Sequence, residues 1–246
     1  MPEVLVSRKS NALWLRLQRP EHGNALAPST LDAFAAALDG LSDNDRALVV
    51  TGSYGVFCSG ADVRAARSML DDERSLLAFM DQAQVLLDHL ESLPVPTVAA
   101  VNGLAMAGGL ELALACDLII AADDARIGDG HTAHGIVPAW GATARLPRRV
   151  GRGMATWLFA SSRSMAASDL VACGLVDEAV PLGELEGRVC QLLDQLGDVQ
   201  PMALSESLHL ARRADSRSLD DALRAERYAF QRQLRRAELR DGVDTF

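Results

Sequence analysis

The sequence predicts an α/β fold that ends in a helical region. Strand-like and helix-like patterns alternate up to Pro147, and helical patterns dominate after it. Apolar residues make up 49% of the 246 residues, which is enough for a sizeable buried core. Alternating strands and helices followed by helices are typical of an α/β core with a helical tail.

The first elements are two short strands and one helix. Alternating apolar and polar residues predict half-buried strands at Val4–Ser7 and Ala12–Leu17. A loop follows from Pro20 to Ala27. Apolar side chains at helical spacing predict a helix that ends at Gly40. These side chains are Leu31, Phe34, Ala35 and Leu38.

Later elements follow from short apolar runs and longer periodic segments. The runs predict buried strands at Ala47–Thr51, Thr97–Val101, Leu118–Ala121 and Leu175–Val180, with a glycine-bearing loop at Gly52–Gly60. Helical spacing predicts helices at Asp72–Ser92, Gly151–Ala160, Ala166–Cys173, Leu182–Leu196, Met202–Ala211 and Leu219–Arg240.

The apolar stretch from Thr97 to Ala122 is long enough for a membrane span. The turn signal Asn102-Gly103 and the pair Gly108-Gly109 interrupt it, and two carboxylates lie inside it. It therefore predicts a buried strand, a turn, a helix and a strand. The first eleven residues contain no apolar signal segment, so we expect a cytoplasmic protein without membrane contact.

Composition excludes several classes of partner. The net charge of −9 is unfavourable for binding nucleic acids or anionic membranes. The four cysteines form no metal-ligand spacing. We therefore expect no metal site and no redox cofactor.

Two glycine-containing turns carry the candidate chemistry. Phe57 to Val63 follows one buried strand, and Asn102 to Glu111 follows another. A helix should begin near Gly108, where its first amides lack internal partners and can stabilise an anion. Glu111 lies in the first turn of this helix, where low dielectric would raise its pKa toward that of a general acid or base.

Together these segments resemble the crotonase (enoyl-CoA hydratase/isomerase) superfamily. The resemblance extends from the N-terminus to at least Pro181 and rests on several specific motifs. The matching segments are Pro20 with Asn24-Ala25-Leu26, Phe57 to Val63, Val101 to Asp117, Gly135-Ile136-Val137-Pro138 and Ala144-Arg145-Leu146-Pro147.

The resemblance implies a spiral of ββα units over residues 1–190 and a C-terminal helical trimerisation region over 191–246, within one structural unit. It implies a homotrimer or a homohexamer. The amides of Ala61 and Gly108 would bind the thioester oxygen of an acyl-CoA substrate, and Glu111 would be catalytic. Coenzyme A, present only as part of the substrate, would lie along Asn24, Ala25, Leu26, Ser59, Gly60, Asp62 and Val63.

The sequence departs from the family where hydratases carry a second catalytic glutamate, because that position holds His131. A histidine with a pKa near 6.5 can replace this glutamate, and Asp129 is a weaker substitute. The expected function is a hydratase-type acyl-CoA enzyme that stabilises a thioester enolate. Three alternatives stay open: an isomerase or a decarboxylase/dehydratase that uses Glu111 alone, and a non-catalytic acyl-CoA-binding subunit.

Two further features have less specific interpretations. Trp140 could shape the acyl pocket or be an ordinary core residue, and Arg19 is a weak candidate for the CoA phosphates. The late arginines predict a solvated helix face with acidic partners, or a subunit contact. They are Arg212, Arg213, Arg217, Arg224, Arg227, Arg232, Arg235, Arg236 and Arg240.

Overall fold

The computed structural model of the chain describes residues 2–234. Two compact units are present, residues 1–198 and residues 199–246. The predicted boundary after residue 190 would fall inside the helix Leu182–Asp194. That the two parts form one structural unit stays a prediction.

The first unit contains all the described strands and seven helices of the described range. In chain order its strands are β1 (Val4–Lys9), β2 (Ala12–Leu17), β3 (Ala47–Thr51), β4 (Val56–Cys58), β5 (Thr97–Val101), β6 (Leu104–Met106), β7 (Leu118–Ala122), β8 (Arg126–Gly128), β9 (Met165–Ala166) and β10 (Glu178–Val180). Its helices are α1 (Pro28–Leu38), α2 (Val63–Ser68), α3 (Glu73–Ser92), α4 (Gly108–Leu114), α5 (Ala142–Ser161), α6 (Ala167–Leu170) and α7 (Leu182–Asp194).

The strands form two sheets. The six-stranded sheet has the order β1-β2-β3-β5-β7-β10, and the four-stranded sheet has the order β4-β6-β8-β9. Successive strands alternate between them, because β3, β5 and β7 belong to the large sheet while β4, β6 and β8 belong to the small one. Helices follow each such pair of strands. This repetition of strand, strand and helix confirms the predicted α/β spiral of ββα units.

Two strands, β4 and β6, lie where the sequence predicted a loop or a turn, and a third, β8, was not predicted. Each is three residues long, which is too short for an alternating pattern to be visible. The segment before β4 doubles back sharply, since a Cβ on Gly52 would lie 1.9 Å from the Val56 carbonyl oxygen. Glycine is therefore required there for the close approach of two backbones.

The helix boundaries also differ from those that the sequence predicted. α5 begins at Ala142 rather than at Gly151, and Pro147 is tolerated within its first half. Gly151, with φ +76° and ψ 159°, breaks this helix into two segments. The short α2 was not predicted, and the last strand covers only Glu178–Val180.

Both faces of the large sheet are covered by apolar side chains. On one face Trp14, Val49 and Val98 pack against Leu185 and Val189 of α7. The opposite face belongs to the main core, which includes Leu15, Val50, Phe34 of α1 and Leu87 of α3. A sheet buried on both faces gives the site next to it a rigid support.

The second unit contains α8 (Pro201–Ala214) and α9 (Leu219–Gln233). Arg232 pairs with Glu206, and Arg224 pairs with Asp220 and Asp221. These ion pairs agree with the predicted charged helix face. Beyond Leu234 the predicted last helix, with Arg235, Arg236 and Arg240, lies outside the described residues.

Among residues 2–234, no helix is both long enough and apolar enough to cross a membrane. Within the same range, no group of three or more histidine, cysteine or acidic residues has the arrangement of a metal site.

Candidate active site

Three neighbouring strands of the small sheet bring the candidate residues together. β4, β6 and β8 are adjacent and parallel, so their carboxyl ends lie at the same edge. Ala61 follows β4, Gly108 follows β6, and His131 follows β8. Ligands of parallel sheets commonly bind at this edge. The sheet order thus assembles residues that are far apart in the sequence.

The amides of Ala61 and Gly108 face one small space. A Cβ on Gly60 would lie 3.0 Å from the Gly108 nitrogen, and a Cβ on Gly108 would lie 3.2 Å from the Ala61 nitrogen. Gly108 is the first residue of α4, so its N–H has no acceptor inside the helix. Two N–H groups from different loops can therefore bind one oxyanion.

Leu26 holds the first of these loops in place. Its N–H donates to the Gly60 carbonyl at 2.8 Å, and its carbonyl accepts from the Asp62 N–H at 2.8 Å. This is a parallel bridge centred on Ala61. In such a bridge the intervening residue directs its own N–H to the opposite side. Leu26 therefore turns the Ala61 amide toward Gly108.

The predicted CoA-binding residues Asn24, Ala25 and Leu26 are buried. Their amides donate to the carbonyls of Arg19, His22 and Gly60, respectively. The Asn24 amide side chain also donates to the Ser53 and Val56 carbonyls, at 3.1 and 2.6 Å. These contacts give the segment a supporting role beneath the oxyanion loop. Direct contact with CoA stays a prediction.

The remaining predicted CoA contacts lie on the loop itself. Ser59 is half-buried and donates its N–H to the Gly23 carbonyl at 3.0 Å. Gly60 has φ +111°, a conformation that favours glycine. Val63, the first residue of α2, is 76% exposed and leaves an apolar side chain available at this position.

The Asp62 carboxylate is engaged within the protein. It caps α2 by accepting from the amides of Arg64 and Ala65, at 3.0 and 3.1 Å. It also accepts from Arg19 at 2.9 Å. The Arg19 guanidinium further donates to the Ala25 carbonyl at 2.7 Å. Arg19 thus braces this loop, and its contact with the CoA phosphates stays a prediction.

Glu111 occupies the first turn of α4 and is only 1% exposed. One carboxylate oxygen, Oε1, accepts from the backbone amides of Trp140 at 2.8 Å and Ala142 at 3.0 Å. The other oxygen, Oε2, lies 3.7 Å from Nε2 of His131. Two hydrogen bonds therefore fix the carboxylate while its second oxygen faces the histidine.

His131 is held on its other side by Asp129. The imidazole Nδ1 lies 2.8 Å from Oδ1 of Asp129, and the His131 backbone N–H donates to Oδ2 at 3.1 Å. Because an ionised carboxylate only accepts hydrogen bonds, Nδ1 carries the proton in this contact. The line Asp129–His131–Glu111 connects the loop after β8 to helix α4.

Both members of the central pair have displaced pKa values. Burial raises the pKa of Glu111 above 4.5, although the amides of Ala142 and Trp140 and the charge of His131 oppose this. Burial alone would lower the pKa of His131. The hydrogen bond to Asp129 and the charges of Glu111 and Asp129 outweigh it, so this pKa lies above 6.5. Displaced pKa values of this kind are typical of acid–base catalysis.

Trp140 packs against Gly108. A Cβ on Gly108 would lie 2.3 Å from Cζ3 of the indole, so the ring covers the glycine directly. The indole also makes an edge contact with Phe79 at a centroid distance of 6.0 Å. Its Nε1–H finds no acceptor among the described protein groups. The predicted position of Trp140 beside the site is thus observed, and its contact with the acyl chain stays a prediction.

The family of the chain follows from its similarity to known proteins. A family profile described as enoyl-CoA hydratase/isomerase matches residues 7–246. The chain belongs to the enoyl-CoA hydratase/isomerase family. It is therefore a hydratase-type acyl-CoA enzyme of the crotonase superfamily.

Individual relatives agree with this assignment. The 2,3-dehydroadipyl-CoA hydratase of Escherichia coli K12 is 31% identical over 249 aligned residues, which cover 100% of this chain and 96% of the relative. Among solved structures, an enoyl-CoA hydratase of Bacillus anthracis has a TM-score of 0.93 at 28% identity, covering 99% of this chain and 95% of that one. An enoyl-CoA hydratase of Thermoplasma volcanium has a TM-score of 0.92 at 28% identity, covering 100% and 98%.

The sequence analysis gave one residue of this site, Asp129, a different role and did not identify another, Arg145. Asp129 was considered only as a substitute for the missing glutamate, whereas it contacts His131 and not Glu111. Its spacing of two residues from His131 is typical of a side chain that bonds the backbone of its own turn. Arg145, which donates to the Trp140 carbonyl at 2.6 Å, carried no signal of a role beyond its motif.

Proposed function

We propose that this family member adds water across the double bond of a 2-enoyl-CoA and that Glu111 and His131 are its acid–base pair. The observation that supports this most directly is the distance of 3.7 Å between Glu111 Oε2 and His131 Nε2, beside two convergent amides. Two groups are needed because one must take a proton from water while the other gives a proton to C2.

The proposed steps balance without any external reagent. Glu111 takes a proton from water, and the water oxygen adds to C3 of the enoyl group. The π electrons move into the thioester, whose enolate oxygen is held by the amides of Ala61 and Gly108. The enolate then takes a proton at C2 from Nε2–H of His131.

The pair is restored by transfer of the proton from Glu111 back to His131. No electron is gained or lost overall, so the proposed reaction needs no redox cofactor, and its steps include no metal. Coenzyme A enters only as the thioester of the substrate. We place its pantetheine end along Ser59–Val63 and its acyl end toward Trp140, as the family resemblance implies.

A homotrimer or homohexamer is proposed on the same resemblance. The exposed apolar side chains Ile136, Val137 and Trp157 of the first unit are compatible with burial between copies. Sedimentation of the purified protein would measure the mass of the assembly, and a monomer would contradict this part of the proposal. A cytoplasmic location stays a prediction.

The test of the reaction uses crotonyl-CoA and a 3-enoyl-CoA with wild type, Glu111→Gln and His131→Gln. Hydration is followed by loss of the conjugated thioester absorbance and by mass spectrometry. Each substitution should lower hydration about 10²–10⁴-fold, as expected for loss of a positioned acid or base. His134→Gln, in the same loop, is the matched control and should retain wild-type rates.

Three results would contradict the proposal. Wild type that isomerises the 3-enoyl-CoA but never adds water would identify an isomerase that uses Glu111 alone. Undiminished hydration by His131→Gln would remove His131 from the mechanism. Binding of acyl-CoA without any turnover would instead favour a non-catalytic subunit.

A further inference from the structure

The Asp129 side chain has no exposed surface, and its hydrogen bonds lead to His131 alone. One oxygen accepts from the ring nitrogen Nδ1, and the other accepts from the backbone N–H of the same residue. Within residues 2–234 no further hydrogen bond reaches this carboxylate. A buried carboxylate is unfavourable unless it is paired. The hydrogen bonds from His131 therefore stabilise the Asp129 carboxylate, and the carboxylate in turn holds the imidazole ring.

The backbone of the loop is already fixed by other contacts. The His131 carbonyl accepts from the amides of His134 at 3.0 Å and Ile136 at 3.2 Å. Thr132 donates to the Phe159 carbonyl at 2.6 Å, and Ser162 binds the Ala133 amide at 2.9 Å. The contact with Asp129 Oδ1 therefore controls two other properties: the rotation of the imidazole ring and the nitrogen that carries its proton.

We propose that Asp129 is a positioning residue that keeps the proton of neutral His131 on Nδ1 and directs Nε2 at Glu111 Oε2. The ring geometry stands independently of the reaction, whereas the catalytic consequence rests on the proposed hydratase function. With Nδ1 committed to Asp129, every proton that His131 exchanges must pass through Nε2. Nε2 is the nitrogen on the side of the ring that faces Glu111.

Asp129→Asn separates this role from a structural one. An asparagine has one accepting oxygen and one donating nitrogen, but the site presents two donors. If the oxygen accepts from the His131 backbone, the amide nitrogen meets Nδ1 and requires it to accept. The neutral ring then carries its proton on Nε2 instead of Nδ1. The hydrogen bond from the His131 backbone, which holds the turn, is preserved.

The direct measurement is the nitrogen and proton NMR spectrum of the His131 ring in wild type and Asp129→Asn. We expect the neutral wild-type ring to be protonated on Nδ1 and the variant ring on Nε2. Loss of the carboxylate should also lower the pH at which His131 titrates, because Asp129 and Glu111 are the charged groups that face it. Identical tautomers and titrations would overturn the proposal, whether or not the protein hydrates crotonyl-CoA.

Kinetics supply the second readout. Asp129→Asn should lower kcat for crotonyl-CoA hydration about 10²–10⁴-fold, the range found when a general acid is lost or a catalytic histidine has the wrong tautomer. In the His131→Gln background the same change should have little further effect. An equal loss in both backgrounds would show that Asp129 only supports the fold.

Asp45→Asn is the matched control for replacing a buried carboxylate. Asp45 is 4% exposed and accepts from Arg8 and Ser42, outside the described site. Its replacement should leave kcat of the folded protein and the His131 spectrum unchanged. If wild type lacks hydration while the tautomer still reverses, the proposed reaction fails and the positioning role stands.

Discussion

The central pair of the site joins a carboxylate to an imidazole rather than to a second carboxylate. At 3.7 Å two carboxylates would repel each other, so one would have to remain protonated. An imidazolium beside Glu111 allows the opposite arrangement, in which the carboxylate is ionised and His131 holds the proton. Asp129 strengthens this preference because its carboxylate accepts from the same ring. His131 can therefore take the place of a glutamate without leaving the site short of a proton donor.

A side chain on Gly108 would enter the space between the Trp140 ring and the Ala61 amide. In Gly108→Ala the new Cβ would lie 2.3 Å from the Trp140 ring and 3.2 Å from the Ala61 nitrogen, where the oxyanion should bind. We expect kcat to fall about 10²–10³-fold, the usual effect of losing one oxyanion donor. Steady-state hydration of crotonyl-CoA measures this.

Gly153→Ala provides the control, since nothing lies within 4 Å of the added Cβ in the middle of α5. Activity should be retained, and thermal stability should be equal or higher by up to about 1 kcal/mol, because alanine favours a helix. Wild-type kcat in Gly108→Ala would contradict the assignment of this amide.

At the scale of elements, the turn between β8 and α5 positions Glu111. Gly141 has φ +106° and allows the Trp140 and Ala142 amides to reach the same carboxylate oxygen. Arg145 closes the turn from below by donating to the Trp140 carbonyl at 2.6 Å and to both oxygens of Glu91. The arginine thus connects α5 and α3 to the turn that holds Glu111.

Arg145→Lys should therefore lower kcat about 10–10²-fold, because a lysine cannot bind the carboxylate and the carbonyl with the same geometry. Crotonyl-CoA kinetics beside thermal unfolding would measure both effects. The control is Arg149→Lys on the same helix, where Arg149 binds Asp177 and the Leu175 carbonyl. The Arg149→Lys variant should lose thermal stability but keep its kcat. If both variants lost activity in proportion to stability, Arg145 would have no positioning role.

The sequence revealed those parts of the site that depend on local structure. Ala61, Gly108 and Glu111 could be recognised because a glycine turn and a helix start mark them. The approach of His131 to Glu111 depends on the adjacency of β6 and β8, three-residue strands without a visible pattern. Likewise the bond from Arg145 to the Trp140 carbonyl requires the positive φ of Gly141, which the sequence does not specify.

For the whole molecule, the burial of Glu111 makes the free energy of unfolding depend on pH. Burial raises its pKa above the 4.5 of an exposed carboxyl. The folded state therefore binds this proton more tightly than the unfolded state does. The resulting stability is fully present below about pH 4.5 and is lost as the pH rises through the folded pKa. Ionising this buried carboxyl therefore lowers the stability of the fold.

Glu111→Gln should remove this dependence, because glutamine can still accept from the Trp140 and Ala142 amides but does not titrate. The unfolding free energy of wild type should fall relative to the variant as pH rises above 4.5, by at most about 1.4 kcal/mol per pH unit. Urea unfolding of both proteins between about pH 4.5 and 8 tests this. The hydrogen bond from Lys9 lowers the pKa of Glu186, so its stabilisation is lost only as pH falls through that lower value. Glu186→Gln should thus show a constant difference from wild type across this range. A constant difference for Glu111→Gln as well would mean that burial of this carboxylate does not oppose folding at neutral pH.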